Sequence, residues 1–178
     1  ITTGEGGMVV TSADSYNSLI RNLKNQGNST SRRYFHDILG YNYRMTNIQA
    51  AMGVAQMERL PEIVERKRQI EQWYRDKLYD HVCFQVVHEN VNTNAWLVSA
   101  VLPYATDRDT VAALMARDGI ETRPVFVPIS EMPYMPNAHT PVTNSISARG
   151  ISLPSYPALS RKDVDFISES LLRGLERS

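Results

Sequence analysis

The sequence predicts an α/β protein, in which a sheet is layered with helices. Three observations indicate this fold class. In the first half of the chain, long segments carry apolar residues at helical spacing. In the second half, short apolar runs bounded by turn-forming residues have the pattern of strands. Helical segments with clear start and stop signals separate those runs, and such alternation is typical of an α/β layer.

The first elements follow a glycine-rich start. Residues 8–11 form a short apolar run after glycines, which predicts a buried strand. A helix is expected over 14–24, with Ser12 or Asp14 as its cap. Residues 25–33 are rich in Asn, Ser and Gly, which indicates a loop.

Two abutting helices are expected next. The hydroxyl of Thr46 and the side chain of Gln49 have the spacing of a capping box, which predicts a helix start. This helix is expected to run to Leu60. Pro61 lacks a backbone N–H, so it either kinks this helix or opens the next one, which is expected to end near Leu78. Two abutting helices of this length suggest a connection between domains.

The pattern changes in the remaining part of the chain. Strands are predicted over 82–87, 95–102 and 120–127. A helix is predicted over 107–117, with Gly119 as its stop, and residues 128–148 are expected to be an irregular connection. Ser160 and Asp163 have the spacing that caps a last helix.

Composition excludes several classes of function. The chain has 19 basic and 19 acidic residues, so its net charge of zero provides no field to attract nucleic acid or an anionic membrane. No apolar run approaches the ~20 residues of a membrane span. The one cysteine, Cys83, is expected to be a buried strand residue and indicates a reducing, cytoplasmic setting. The four histidines lack metal-ligand spacing, so no metal site is predicted.

Two places have residues suited to an anion. Asn42 offers amide donors and Arg44 a permanent charge, just before a predicted helix N-terminus, and this combination suits a phosphate. The alternative is that Asn42 is an ordinary turn residue and Arg44 an ordinary surface residue, and that they bind no anion. Arg123 ends a predicted strand before Pro124, where it reaches a cleft or stays solvated. The glycines in 1–7 precede a strand and lack Gly-Lys-Ser/Thr, so they predict a tight turn and no P-loop.

Taken together, several stretches resemble the DegT/DnrJ/EryC1/StrS aminotransferase family. They are residues 1–8, 40–51, 119–124 and 150–155. The resemblance implies the C-terminal part of a type I pyridoxal-phosphate-dependent aminotransferase fold. A remnant of the large cofactor-binding domain would cover 1–60, and a small α/β domain would cover 61–178. Within the family, the chain looks most like the GDP-perosamine synthases, which aminate GDP-4-keto-6-deoxymannose.

The resemblance also implies site residues. The cofactor contacts would be Asn42, Thr3, Gly4 and Glu5, and the substrate contacts would be Tyr41, Arg44, Arg123 and Ser130. In the family, the asparagine that matches Asn42 reaches across a dimer interface to the phosphate of the partner's pyridoxal phosphate. Ser130 departs from the family pattern, which commonly has histidine there, and a hydroxyl cannot titrate near neutral pH.

The lysine that binds the cofactor covalently would stand just before Ile1. The resemblance therefore implies that this chain supplies no catalytic residue and binds no pyridoxal phosphate by itself. It is expected to be an inactive part of a nucleotide-sugar aminotransferase and to form a homodimer or larger assembly, or to pair with a full-length homologue. Two alternatives stay open: a dimerisation or binding module, and a relative of the sugar dehydratases, in which histidine replaces that lysine.

Overall fold

Six α-helices and four short strands occupy the residues that the computed structural model describes, 1–136 and 138–178. The helices are α1 (Asp14–Lys24), α2 (Asn47–Glu58), α3 (Leu60–Leu78), α4 (Arg108–Arg117), α5 (Pro141–Arg149) and α6 (Arg161–Leu175). The strands are β1 (Cys83–Phe84), β2 (Val98–Val101), β3 (Arg123–Pro124) and β4 (Gly150–Leu153). Helices and strands thus alternate in the second half of the chain, and the predicted α/β class is confirmed.

The chain divides into two compact units, Ile1–Leu60 and Pro61–Ser178. The first unit contains α1 and α2, and Gly27 is its only buried residue. Hydrogen bonds rather than an apolar core therefore hold this unit together. The strand predicted over 8–11 is wrong, because this segment forms no ladder and leaves Met8 87% exposed. An apolar run indicates burial only where another element covers it.

The second unit is built on a four-stranded antiparallel sheet in the order β1-β2-β4-β3. The two central strands pair Val98 with Leu153 and Val101 with Gly150. All four residues of β4 are buried. The core also contains buried side chains from α3, α4 and α6, and its largest fully buried members are Tyr74, Ile70, Leu78, Leu102, Met115, Ile151 and Leu171.

The sequence predicts most helix starts correctly and the extent of the strands poorly. Thr46 and Ser160 each form a complete capping box, as expected. The predicted caps of α1 are wrong, because its N-cap is Ala13 and no side chain bonds there. The predicted strands are several residues longer than the observed ones. Cys83 lies in β1 but is exposed, so its predicted burial is wrong.

A helix was not expected within 128–148, where the structure has α5 after a short 3-10 helix, Ile129–Glu131. The helix can begin there because Pro141 occupies its first position, where a missing N–H costs nothing. The exposed residues of this helix include the polar Asn144 and the apolar Val142 and Ile146. Its buried face is small, since Ser147 is its one buried side chain.

Tyr74 provides a test of the second unit through the pH dependence of its stability. Its hydroxyl donates to the Pro154 carbonyl at 2.9 Å, and burial raises the pKa of this phenol far above its ordinary value, with smaller contributions from Tyr156 and Asp163. A raised folded-state pKa stabilises the fold below the unfolded pKa of about 10, and that contribution is lost as pH rises further.

We therefore expect the free energy of unfolding to fall above about pH 10 by up to ~1.4 kcal/mol per pH unit more than in Tyr74→Phe. Urea titrations between pH 8 and 11 measure this difference. Tyr79→Phe is the control, because it removes the hydroxyl of a tyrosine that is 78% exposed. Equal pH slopes for wild type and Tyr74→Phe would contradict the burial of this hydroxyl.

Candidate functional site

The glycine-rich turn at the start of the chain lies on helix α2. The backbone N–H of Thr2 donates to Gln56 Oε1 at 2.9 Å, and the Gln56 amide donates back to the Thr2 carbonyl. Gln49 Nε2 donates to the carbonyl of Glu5 at 3.2 Å. Gln49 and Gln56 are seven residues apart, which is two helical turns, so both amides project from one face of α2. Together they anchor both ends of the turn.

Small residues let the turn approach the helix closely. Gly53 lies between the two glutamines on that face, and a Cβ there would come within 3.2 Å of Thr3 Cγ2. Gly4 has a φ of 81°, in the left-handed region that favours glycine. A Cβ at Gly6 would lie 2.6 Å from Thr3 Oγ1 and 2.8 Å from Met45 Cε. The glycine pattern of the sequence is therefore explained by this turn, as predicted.

The loop between α1 and α2 folds back onto the end of α1. The N–H of Tyr41 donates to the Leu23 carbonyl at 2.7 Å, and the N–H of Tyr43 donates to the Lys24 carbonyl at 3.0 Å. The backbone is therefore fixed on both sides of Asn42. The rings of Tyr41 and Tyr43 stack with their centroids 5.2 Å apart, and both are exposed.

Two glycines make this return possible. A Cβ on Gly40 would lie 2.2 Å from the backbone nitrogen of Gly27, and a Cβ on Gly27 would lie 1.9 Å from the carbonyl oxygen of Ile38. Real side chains do not tolerate such distances. The N–H of Gly27 also donates to the Asn22 carbonyl at 2.9 Å. The loop that carries Asn42 is therefore positioned by a close contact between two backbones.

The side chains of Asn42 and Arg44 are free for a ligand. Both are exposed, and within the described part of the chain neither has a hydrogen-bond or ion-pair partner. Two residues later, Thr46 caps α2: its hydroxyl accepts from the N–H of Gln49 at 3.3 Å. An amide, a guanidinium and a helix N-terminus are all groups that bind anions.

A groove of about 850 Å³ runs between the turn and α2. Its lining combines backbone of the turn with small and flexible side chains of the helix. These residues include Thr3, Gly4, Glu5, Gly7, Met45, Ala50, Gly53, Val54 and Met57. The structure thus brings three of the predicted cofactor contacts to one groove. Met45 joins it to the loop of Asn42.

The two predicted substrate residues of the second unit have different surroundings. Arg123 lies on β3 and is exposed, with Glu121 at 3.9 Å from its Nε. Ser130 is half-buried in the short 3-10 helix, where its hydroxyl pairs with Thr140 Oγ1 at 3.0 Å. Arg123 is thus available to an anion, whereas Ser130 already has a hydrogen-bond partner.

The sequence contains four lysines, and each has its own surroundings. Lys67 Nζ donates to the Ser155 carbonyl at 2.7 Å, and burial lowers the pKa of this ammonium. Lys77 lies 3.7 Å from the carboxylate of Asp165. Lys24 is in the last turn of α1, and Lys162 is in the first turn of α6. None of the four lines the groove.

Sequence reasoning missed the glutamines that anchor the turn. Their spacing with Gly53 is visible in the sequence, yet it acquires meaning only once a partner for that helix face is known. No described helix is long and apolar enough to cross a membrane. Across residues 1–136 and 138–178, no group of three or more His, Cys, Asp or Glu side chains is arranged to hold a metal.

Curated relatives support the family suggested by the motifs. GDP-perosamine synthase of Escherichia coli O157:H7 is 40% identical over 173 residues, which cover 96% of this chain and 48% of that protein. GDP-perosamine synthase of Vibrio cholerae is 42% identical over 167 residues, which cover 89% of this chain and 45% of that protein. The chain therefore spans about half the length of the curated relatives it matches.

Solved structures confirm the fold. The aminotransferase TlmJ from Streptoalloteichus hindustanus superposes with a TM-score of 0.90 at 22% identity, over 98% of this chain and 49% of that chain. Helicobacter pylori PseC, an aminotransferase, superposes with a TM-score of 0.88 at 21% identity, over 100% of this chain and 51% of that chain. The DegT/DnrJ/EryC1/StrS aminotransferase family matches residues 1–172, and the chain belongs to this pyridoxal-phosphate-dependent family.

Proposed function

We propose that this chain forms part of an aminotransferase that adds an amino group to the keto sugar of a GDP-linked substrate. The observation that carries the proposal is the exposed, unpartnered Asn42 on a loop fixed beside the α2 N-terminus. Support for the substrate class comes from the GDP-perosamine synthases, two of which are at least 40% identical to the chain.

The groups in the first unit fit the phosphate of pyridoxal phosphate. Asn42 offers two amide hydrogens, Arg44 a permanent charge, and α2 the free N–H groups of its first turn. Around Gly4 and Gly7 a Cβ would meet no atom within 4 Å, so the backbone of the turn is open to a flat ligand. We assign Asn42 to the phosphate, and the turn of Thr3, Gly4 and Glu5 to the surface that the cofactor contacts.

When bound, pyridoxal phosphate acts as the electron sink for amino transfer. This chain contributes to its binding and orientation, because backbone bonds fix the loop of Asn42, and the amides of Gln49 and Gln56 fix the turn, before any ligand arrives. The first unit is then part of the cofactor domain, and the second unit is the small domain. Tyr41, Arg44 and Arg123 are assigned to the nucleotide sugar. Ser130 contributes at most one hydroxyl, which Thr140 already engages.

The family's chemistry also needs a lysine that binds the cofactor covalently, and the surroundings of the four lysines argue against each of them. Lys67 and Lys77 are held by other groups, and Lys24 and Lys162 lie at helix ends outside the groove. We propose that a segment outside these 178 residues supplies the lysine. A histidine at that position would indicate a dehydratase instead.

A second copy of the chain is proposed to cover the first unit. Seventeen large apolar side chains of this unit are exposed, among them Met8, Val10, Leu39, Ile48 and Val54. Large exposed apolar patches on soluble proteins mark interaction surfaces. We expect a homodimer or larger assembly by light scattering at micromolar concentration. A monomer at all concentrations would contradict this assignment.

The assignment of Asn42 is tested in the complete protein that contains this chain. Asn42→Ala removes one hydrogen bond to a charged phosphate, which is worth about 1.5–3 kcal/mol. The dissociation constant of pyridoxal phosphate should therefore rise about 10- to 100-fold. Cofactor titration measures it by absorbance, and amino transfer at saturating cofactor should recover most of its rate.

Asn92→Ala is the matched control, because Asn92 is an exposed loop residue of the second unit. It should leave the cofactor affinity unchanged. If both variants bind pyridoxal phosphate like the wild type, Asn42 is not a phosphate ligand. If the wild-type protein consumes a GDP-linked keto sugar but forms no amino sugar from it, the proposed reaction is wrong.

A further inference from the structure

Two aromatic side chains of the second unit form an exposed pair, here called the aromatic platform: Trp96 and Phe126. Their ring centroids are 6.4 Å apart and their planes differ by 25°. Trp96 is 63% exposed and Phe126 is 72% exposed, although each is large and apolar. Two near-parallel rings that face solvent together are suited to stacking a third flat group.

The backbone beneath the platform is held by buried groups. Ala95 is buried and has a φ of 48°, a strained conformation for alanine that clusters at ligand sites. The Trp96 carbonyl accepts from Ser155 Oγ at 3.4 Å, and the Phe126 carbonyl accepts from Ser147 Oγ at 3.0 Å. The fold therefore fixes both exposed residues through buried hydroxyls.

An ammonium without a carboxylate partner is connected through Ser155 to the backbone that carries Trp96. Lys67 Nζ is 3.4 Å from the same Ser155 Oγ that bonds the Trp96 carbonyl. Within the described residues its partners are the hydroxyl and the carbonyl of Ser155, which leave a third N–H free. Lys67 is half-buried, and burying an ammonium without an anion is costly. An arriving anion would supply the missing charge.

A flat aromatic surface, with a lysine that lacks an anion one hydroxyl away from its backbone, matches a nucleotide, which joins a flat base to phosphates. We propose that the aromatic platform stacks the guanine base of the GDP-linked substrate and that Lys67 binds its diphosphate. This inference rests on the proposed function, which supplies the class of nucleotide. Base stacking on aromatic side chains is strong enough to change affinity tenfold or more.

The fluorescence of Trp96 tests the platform in the chain itself. The chain has two tryptophans, and Trp73 packs against the core under Arg66, so Trp73→Phe makes Trp96 the sole emitter. GDP should quench this emission, guanosine should quench it at higher concentration, and inorganic pyrophosphate should bind without quenching. Lack of quenching by millimolar GDP would overturn the proposal.

Calorimetric titration with GDP then separates the two parts of the subsite. Trp96→Leu and Phe126→Leu should each weaken GDP binding about tenfold or more. Lys67→Met should weaken GDP and leave guanosine unchanged, whereas Lys162→Met, on an exposed lysine of α6, should alter neither. Circular dichroism confirms that each variant is folded. Wild-type GDP affinity in both aromatic variants would overturn the proposal.

The complete protein distinguishes failure of this inference from failure of the proposed function. The KM for the GDP-linked keto sugar should rise about tenfold or more in Trp96→Leu, with kcat nearly unchanged. An active enzyme with an unchanged KM would overturn the platform and leave the function standing. Quenching by GDP in a protein that transfers no amino group would support the platform and contradict the function.

Discussion

Leu78→Ala should destabilise the second unit by about 2–5 kcal/mol. Leu78 is fully buried at the end of α3, and it follows Ile70 and Tyr74 at intervals of four residues. These three side chains form the stripe by which α3 packs against the sheet. Removing the leucine leaves a cavity that the neighbouring side chains fill only in part, so transfer and cavity costs add.

Urea unfolding followed by Trp73 fluorescence measures this loss, because Trp73 lies against the same core. Tyr79→Ala is the control, because Tyr79 is an exposed residue in the turn directly after α3, and it should change the free energy of unfolding by no more than about 0.5 kcal/mol. Similar losses in the two variants would mean that α3 does not pack by this stripe.

Gly40→Ala should disable the candidate cofactor site. Its Cβ would lie 2.2 Å from Gly27 N and 2.5 Å from the carbonyl carbon of Gln26, and both are backbone atoms. The loop must therefore open, which breaks the hydrogen bond from Gln26 N–H to the Tyr41 carbonyl. Asn42 directly follows Tyr41 in the chain, so its side chain moves as well. A displacement of about 1 Å at a site commonly costs on the order of 100-fold in rate.

Amino transfer by the complete protein measures this loss, and faster hydrogen exchange at Gln26, Tyr41 and Tyr43 in the chain reports the open loop. Gly7→Ala is the matched control, because a Cβ on Gly7 would meet no atom within 4 Å. It should retain wild-type exchange at these three amides. A Gly40→Ala variant with full activity and protected amides would contradict the backbone contact.

Local signals in the sequence predict the helices well. The capping boxes at Thr46 and Ser160 involve residues three apart, so their geometry needs no knowledge of the rest of the fold. Helix α5 escapes prediction because its polar sequence resembles a loop. Strands β1 and β3 are only two residues long, and where pairing begins and ends depends on distant residues.

The candidate site is predictable in part. The glycines of the turn and the polar residues before α2 indicate a tight turn and an anion site from their chemistry alone. The contact between Gly27 and Gly40 joins residues thirteen apart in a loop, and no helical or strand periodicity reveals it. The platform of Trp96 and Phe126 joins two segments that are separated by helix α4, so it becomes visible only in three dimensions.

The central claim is that these 178 residues contribute cofactor-facing and substrate-facing surface, while the covalent lysine lies elsewhere in the protein. Borohydride reduction of the complete protein with pyridoxal phosphate, followed by peptide mass spectrometry, identifies the modified lysine directly. We expect a labelled lysine outside this chain, and no stoichiometric labelling of the isolated chain. Stoichiometric labelling of Lys24, Lys67, Lys77 or Lys162 would contradict the claim.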